Sequence, residues 1–182
     1  MVTGDRIEFI SSPILGDGED LVFRATLPPH GPGAPMHSHD AMTETFQVEI
    51  GALEILLDGA SRLLGPGEQI TLPPGTAHGF RNAIDRETIF VTTASPGIDL
   101  ESFLRKIYGL ANEGMAGATG MPRNPLALAS ILRRTDMHLS AIPKLLGRIL
   151  IGAMSVIAKV GGIDRSLDRF VNADAVSKGS QS

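Results

Sequence analysis

Cysteine and tryptophan are absent from this chain. Without thiols there is no disulfide, no cysteine-ligated zinc and no thiolate nucleophile, and the redox compartment is left open. Aromatic residues make up only 4% of the chain, and the single tyrosine, Tyr108, lies in its second half. The first lysine is Lys106, so residues 1–98 hold no Lys, Tyr, Trp or Cys. A Schiff-base mechanism in that half would need an amine it does not have. Long apolar runs are missing too. The uncharged stretch Ile149–Ala158 falls far short of the roughly 20 apolar residues that span a bilayer. The opening residues Met1–Asp5 show no basic stretch leading into an apolar run. A secretory signal is therefore not expected, and a cytoplasmic location is the expectation.

What is present describes an ordinary globular chain of 182 residues, 42% hydrophobic and 20% charged, long enough for a substantial core. Charge is unevenly spread. Residues 1–98 carry 13 acids and five arginines, whereas residues 99–182 carry seven acids and 11 bases. The acidic half is a poor surface for a polyanion, and nucleic acid is not expected as a partner.

Residues 6–98 read as short strands punctuated by Gly/Pro turns. The expected strands are Arg6–Ile10, Asp20–Leu27, Thr43–Ile50, Ala52–Leu57, Gln69–Leu72, Ala77–Arg81 and Glu87–Ala94. This density of short strands predicts an all-β sandwich or barrel. Glu44, Phe46, Val48 and Ile50 share one parity and are expected to line the interior. Beyond Pro96 the pattern turns helical. Asp99 is expected to cap a helix containing Phe103, Leu104 and Ile107, and Asn124-Pro125 to start another. The longest pattern runs from Ser140 to Val160, with Ile142, Leu145, Leu146, Ile149, Ala153, Met154, Ile157 and Val160 on one face. Lys144, Arg148, Ser155 and Lys159 share the other, and Gly161-Gly162 ends it. The polar residues that follow predict a disordered tail over 166–182.

Two clusters carry the chemistry. Gly31, His37, His39, Glu44 and Gly51 are spaced G-x5-H-x-H-x4-E-x6-G. Gly67, Pro73, Gly75, His78 and Asn82 are spaced G-x5-P-x-G-x2-H-x3-N. His37 and His39 are two apart, so on an extended strand both face one side. Three neutral imidazoles and one carboxylate make a mixed N/O donor set. That set suits a divalent transition metal (Fe, Mn, Ni, Cu or Zn) and fits Mg or Ca poorly. A single carboxylate leaves about one positive charge on such an ion, which keeps it a Lewis acid. The glycines are read as turn formers that shape the site without doing chemistry.

These residues match both signature motifs of the cupin superfamily at every defined position, and the sequence resembles a cupin over roughly residues 5–98. The resemblance implies a mainly β fold, a double-stranded β-helix or jelly-roll barrel. A helical extension is expected over 99–165. It also implies that His37, His39, Glu44 and His78 are the metal ligands, with Glu44 the one ligand able to act as a base. The Cys–Tyr pair of thiol dioxygenases is missing, and the barrel has no Tyr for the His/Tyr pair of cupin-like epimerases.

Met36, Met42, Phe46, Phe80 and Phe90 lie near the motifs. If they line the cavity, the substrate is small and largely apolar. Arg24 and Arg81 are candidate carboxylate anchors, and His30 is a candidate for the barrel mouth. A dioxygenase-type oxidoreductase is the first functional expectation. A non-catalytic small-ligand binder and a metal-assisted isomerase, lyase or decarboxylase are the alternatives. The Ser140–Val160 helix is expected to pack on the barrel or on a second copy, giving a homodimer, with contact at a membrane surface as the other reading.

Overall fold

Alternation on β2 (Leu21–Leu27) shows how this sequence builds a sandwich: Leu21, Phe23, Ala25 and Leu27 are buried and the residues between them are half-exposed. The computed structural model describes residues 4–140 and 143–179. Two antiparallel sheets of five strands face one another. The first runs β1 (Arg6–Ser11), β2, β9 (Thr88–Ser95), β4 (Thr43–Ile50) and β7 (Gln69–Leu72). The second runs β10 (Met137–Leu139), β3 (Ala34–His39), β8 (His78–Arg81), β5 (Leu53–Leu57) and β6 (Ala60–Leu64). Between them Phe46, Phe80 and Phe90 form an aromatic cluster with centroids 5.4–6.2 Å apart.

On β4 the expected inward parity holds for Glu44, Phe46 and Val48, which are all buried, but not for Ile50, which is 55% exposed. A register shift between Val48 and Ile50 turns the strand's end outward. Gly51 follows at φ 82°, where a Cβ would stand 2.6 Å from the Glu87 carbonyl oxygen. That position tolerates no side chain. Asn82 pins the turn that follows β8. Its amide nitrogen donates to Pro28 O and Arg86 O, both at 2.7 Å, and its oxygen accepts from Ile84 N.

Four helices follow the barrel: α1 (Ile98–Asn112), α2 (Pro125–Arg133), α3 (Lys144–Val160) and α4 (Ile163–Gly179). Gly97, not Asp99, is the N-cap of α1; Asp99 lies in the first turn, where its charge meets the helix N-terminus. Asn124 caps α2, accepting from Leu126 N at 2.9 Å. Buried Glu101 ties α1 to the barrel. It accepts from Ser12 Oγ, Ile14 N and Arg105 Nε, and the Arg105 guanidinium lies over the Phe9 ring.

Three expectations for the tail are corrected. Residues 166–179 are helical, because Leu167 is buried in the core, with Ile163 and Phe170 packed against that core, while Asp164 and Asp168 meet Arg134. Residues 180–182 lie outside the described part. The α3 helix begins at Lys144, and Ile142 also lies outside the described residues. The α3 helix is also turned over. Ser155 and Ala158 face the protein, while Leu145, Ile149, Val156, Ile157 and Val160 are more than half exposed. Small residues let α3 approach α2 closely, which the bulky face would prevent.

Candidate metal centre and its cavity

Strand geometry assembles the centre. His37 and His39 point inward from β3, and His78 stands opposite His37 on neighbouring β8. Glu44 comes from β4, in the other sheet. All four side chains are buried, and their ligand atoms lie within 4.8 Å of one another. The fold thus brings together the four residues that the sequence singles out.

Each imidazole is oriented by a backbone carbonyl. His37 Nδ1 lies 2.8 Å from Pro35 O, His78 Nδ1 3.0 Å from Thr76 O, and His39 Nδ1 3.1 Å from Asp136 O. Carbonyls only accept, so each Nδ1 carries the proton and donates. Each Nε2 is then left with a lone pair. His78 Nε2 is 2.8 Å and His39 Nε2 3.2 Å from the same oxygen of Glu44. The His39 approach misses hydrogen-bond geometry, leaving that buried nitrogen without a partner. Lone pairs facing a carboxylate at such distances call for a cation between them, either a proton or a metal ion. Ligands opposite one another on an ion at about 2.0–2.2 Å are at most about 4.4 Å apart. The ligand atoms all lie within 4.8 Å of one another, a bound close to that limit, and the donor set fits the group.

The electrostatics agree. Burial, reinforced by nearby His78, lowers the His37 pKa to about 4, so this ring is neutral and ready to ligate. Burial opposes ionisation of Glu44, but His39 and His78 more than offset it and hold its pKa at about 2. Burial also opposes a charge on His78, yet the Glu44 carboxylate and the Thr76 carbonyl raise its pKa. Without metal, His78 is the ring that shares a proton with Glu44.

His37 and Glu44 lie at one end of a cavity of about 320 Å³. Phe23, Phe46, Phe80, Leu100, Phe103 and Ile107 supply much of its wall. Helices α1 and α2 contribute to that wall, so the extension belongs to the site. Tyr108, which the chain places outside the barrel, enters the cavity from α1. Its hydroxyl donates to Asp5 at 2.5 Å, and burial together with Asp5 raises its pKa, which keeps it protonated.

Asp136 is a second group that the motifs do not mark. Its carbonyl orients His39, while its carboxylate accepts from the backbone N–H groups of Asp40, Ala41 and Met42 at 2.7–3.2 Å. No local signal could reveal it, because a segment 97 residues from His39 delivers it.

Other candidates fall away from the centre. Arg24 pairs with Glu49 and Glu8, and Arg81 with Glu54, on the barrel's outer surface. Neither is free to anchor a substrate. His30 is exposed in a loop at φ 54°. His138 lies on β10 and pairs with Asp40 at 2.8 Å. Met42 and Phe90 are core residues outside the cavity wall.

Residues 23–93, which span eight of the ten strands in whole or in part and carry all four ligands, match the family model described as Cupin domain. The chain carries a cupin domain. Among curated proteins, this cupin is 30% identical over 95 residues to the probable oxidoreductase patJ of Aspergillus clavatus, covering 48% of this chain and 29% of that protein. It is 29% identical over 96 residues to the epoxidase atD of Aspergillus terreus, covering 49% and 30%. The match thus spans less than a third of either relative's length. Among solved structures, KdgF from Halomonas sp. is 22% identical at a TM-score of 0.45, covering 51% of this cupin and 79% of that chain. The polyketide cyclase RemF from Streptomyces resistomycificus is 24% identical at a TM-score of 0.44, covering 50% and 64%.

Proposed function

We propose that this cupin is a metal-dependent oxidoreductase of dioxygenase type acting on a small, largely apolar molecule. The observation that carries the reading is the placement of His37, His39, Glu44 and His78, with one face on an apolar cavity of about 320 Å³. His37, His39, Glu44 and His78 would hold a divalent transition metal. When bound, such an ion supplies Lewis acidity and, if it is iron or copper, one-electron chemistry with dioxygen. Phe46, Phe80 and Phe103 would sort substrates by shape and exclude water. Tyr108 presents the oxygen of a hydroxyl whose proton is engaged by Asp5, and so offers an acceptor to a substrate O–H or N–H. The names of the two fungal relatives, an oxidoreductase and an epoxidase, point the same way.

Tyr108 also favours a second reading, a metal-assisted isomerase or lyase, because it puts a proton-bearing group in the wall of the cavity that His37 and Glu44 also line. Its raised pKa works against a role as a base at neutral pH.

The test is elemental analysis of protein purified without added metal, followed by oxygen-uptake screening with small apolar alcohols, ketones and phenols. Iron or copper near one per chain with substrate-dependent uptake is expected. Zinc or nickel with no oxygen consumption would reject the oxidoreductase reading in favour of a binder or a lyase.

A further inference from the structure

Helix α3 presents the wrong face to the protein for an ordinary amphipathic helix. Its inner face uses Ser155 and Ala158, with Gly147 and Ile151 half-buried beside them. Its outer face displays Leu145 (74% exposed), Ile149 (60%), Val156 (59%), Ile157 (59%) and Val160 (86%), with Leu146 and Leu150 half-exposed alongside. At 100° per residue these side chains form one continuous band along a helix about 26 Å long. A monomer rarely exposes an apolar band of this extent without use for it.

Charge favours one occupant. The helix has three cations, Lys144, Arg148 and Lys159, and no acid. Lys144 is paired with Asp40, whereas Arg148 and Lys159 have no acidic partner among the described residues. On the helical wheel both stand on one flank of the apolar band. A band of large apolar side chains flanked by unpaired cations suits an anionic lipid surface. Two such faces packed antiparallel would instead bring Arg148 of one copy towards Lys159 of the other, which opposes self-association.

By its length α3 suits a membrane surface better than a span. No single helix among the described residues is long and apolar enough to span a membrane, and α3 reaches that length with α4 only across an 88° bend. A groove runs under α3, and its wall is shared with the metal cavity: Leu128, Leu132, Met137 and Leu139 line both. The cavity and the groove beneath the helix thus share part of their walls.

We infer that α3 is a membrane-docking helix that seats the protein on anionic bilayers with its Leu145–Val160 apolar band in the headgroup boundary. Docking of this kind depends on the outer face of α3 alone. An apolar substrate of the cavity would be concentrated in a bilayer, which gives the docking a purpose.

The experiment is flotation of the full chain with vesicles of phosphatidylcholine alone or mixed with phosphatidylglycerol, at low and high salt, alongside sedimentation equilibrium without lipid. The expected result is flotation with the anionic vesicles that weakens with salt. Ile149→Glu and Val156→Glu are exposed changes that leave packing intact, and each is expected to abolish it. Arg148→Gln and Lys159→Gln should each weaken binding about fivefold. Circular dichroism confirms that the variants are folded. The metal-site variant His37→Ala should float as the parent does, so failure of the oxidoreductase reading leaves this result unaffected. Absence of flotation, or flotation indifferent to lipid charge, overturns the inference. A dimer that Ile149→Glu dissociates, with no flotation, shows that a second copy covers the face instead.

Discussion

Among single residues, three histidines share one device: the Nδ1–H of each is held by a backbone carbonyl, so each Nε2 faces the centre without rotamer search. Replacing His37, His39 or His78 by Ala removes one donor of four, and metal content measured by elemental analysis should fall sharply. Glu44→Gln keeps the shape but loses the compensating charge and should also weaken binding. Full occupancy in all four variants would dismiss the site. Asp136 extends this device beyond the ligands. Asp136→Ala removes three hydrogen-bond acceptances from the loop at Asp40–Met42 and frees the chain that orients His39. Metal affinity by calorimetric titration should drop about 10–100-fold, as for other supports of ligating histidines, while the ligands themselves are unchanged. An affinity equal to the parent's would make Asp136 a loop residue only.

Among elements, the join between barrel and extension depends on α1. Glu101 is fully buried, and its carboxylate meets Arg105, Ser12 and the Ile14 amide. Glu101→Ala breaks this buried ion pair with Arg105, itself only 7% exposed, and removes the acceptor of the Ser12 hydroxyl and the Ile14 amide. A cost of about 3–5 kcal/mol is expected, equivalent to a fall in Tm of roughly 10 °C for a chain of this size. Differential scanning calorimetry checks it, and a shift below a degree or two would show that the pair contributes little. Because α1 also carries Phe103, Ile107 and Tyr108 into the cavity, the same variant should lose small-ligand binding along with stability.

The metal-free protein as a whole should be acid-sensitive. Glu44 is depressed from 4.5 to about 2 in the fold, so its contribution is present above 4.5 and is lost as pH falls towards 2. His37 is depressed from 6.5 to about 4; the unfolded chain takes that proton first, and stability declines as pH falls below 6.5. His78, with a raised pKa, acts oppositely: its contribution is full below 6.5 and is lost as pH rises through the raised value. Two groups outweigh one on the acid side. The Tm measured in chelator should therefore fall steadily from about pH 6.5 downward. Metal should raise the neutral-pH value and lose that effect on acidification, because protons compete for the imidazoles. A Tm that is flat with pH and indifferent to chelator would show the centre to be energetically minor.

The sequence by itself determined the β-class of the first half, most strand positions and the four clustered ligands. Period-two burial, Gly/Pro turns and the H-x-H spacing are local signals that the chain carries wherever it folds. It also marked Asn124 as a cap and Gly161-Gly162 as an end, again through local backbone chemistry. Only the tertiary structure decided which distant groups meet. Tyr108 and Asp136 reach the site because α1 and β10 pack on the barrel, and no local pattern encodes that docking. Apolar periodicity located α3 but not its orientation, because a helix packs by the face that lets it approach closest, and here the small face won. The same competition made residues 166–179 helical: Leu167 and Phe170 are too few to signal a helix in sequence, but enough to hold one against a core that is already formed.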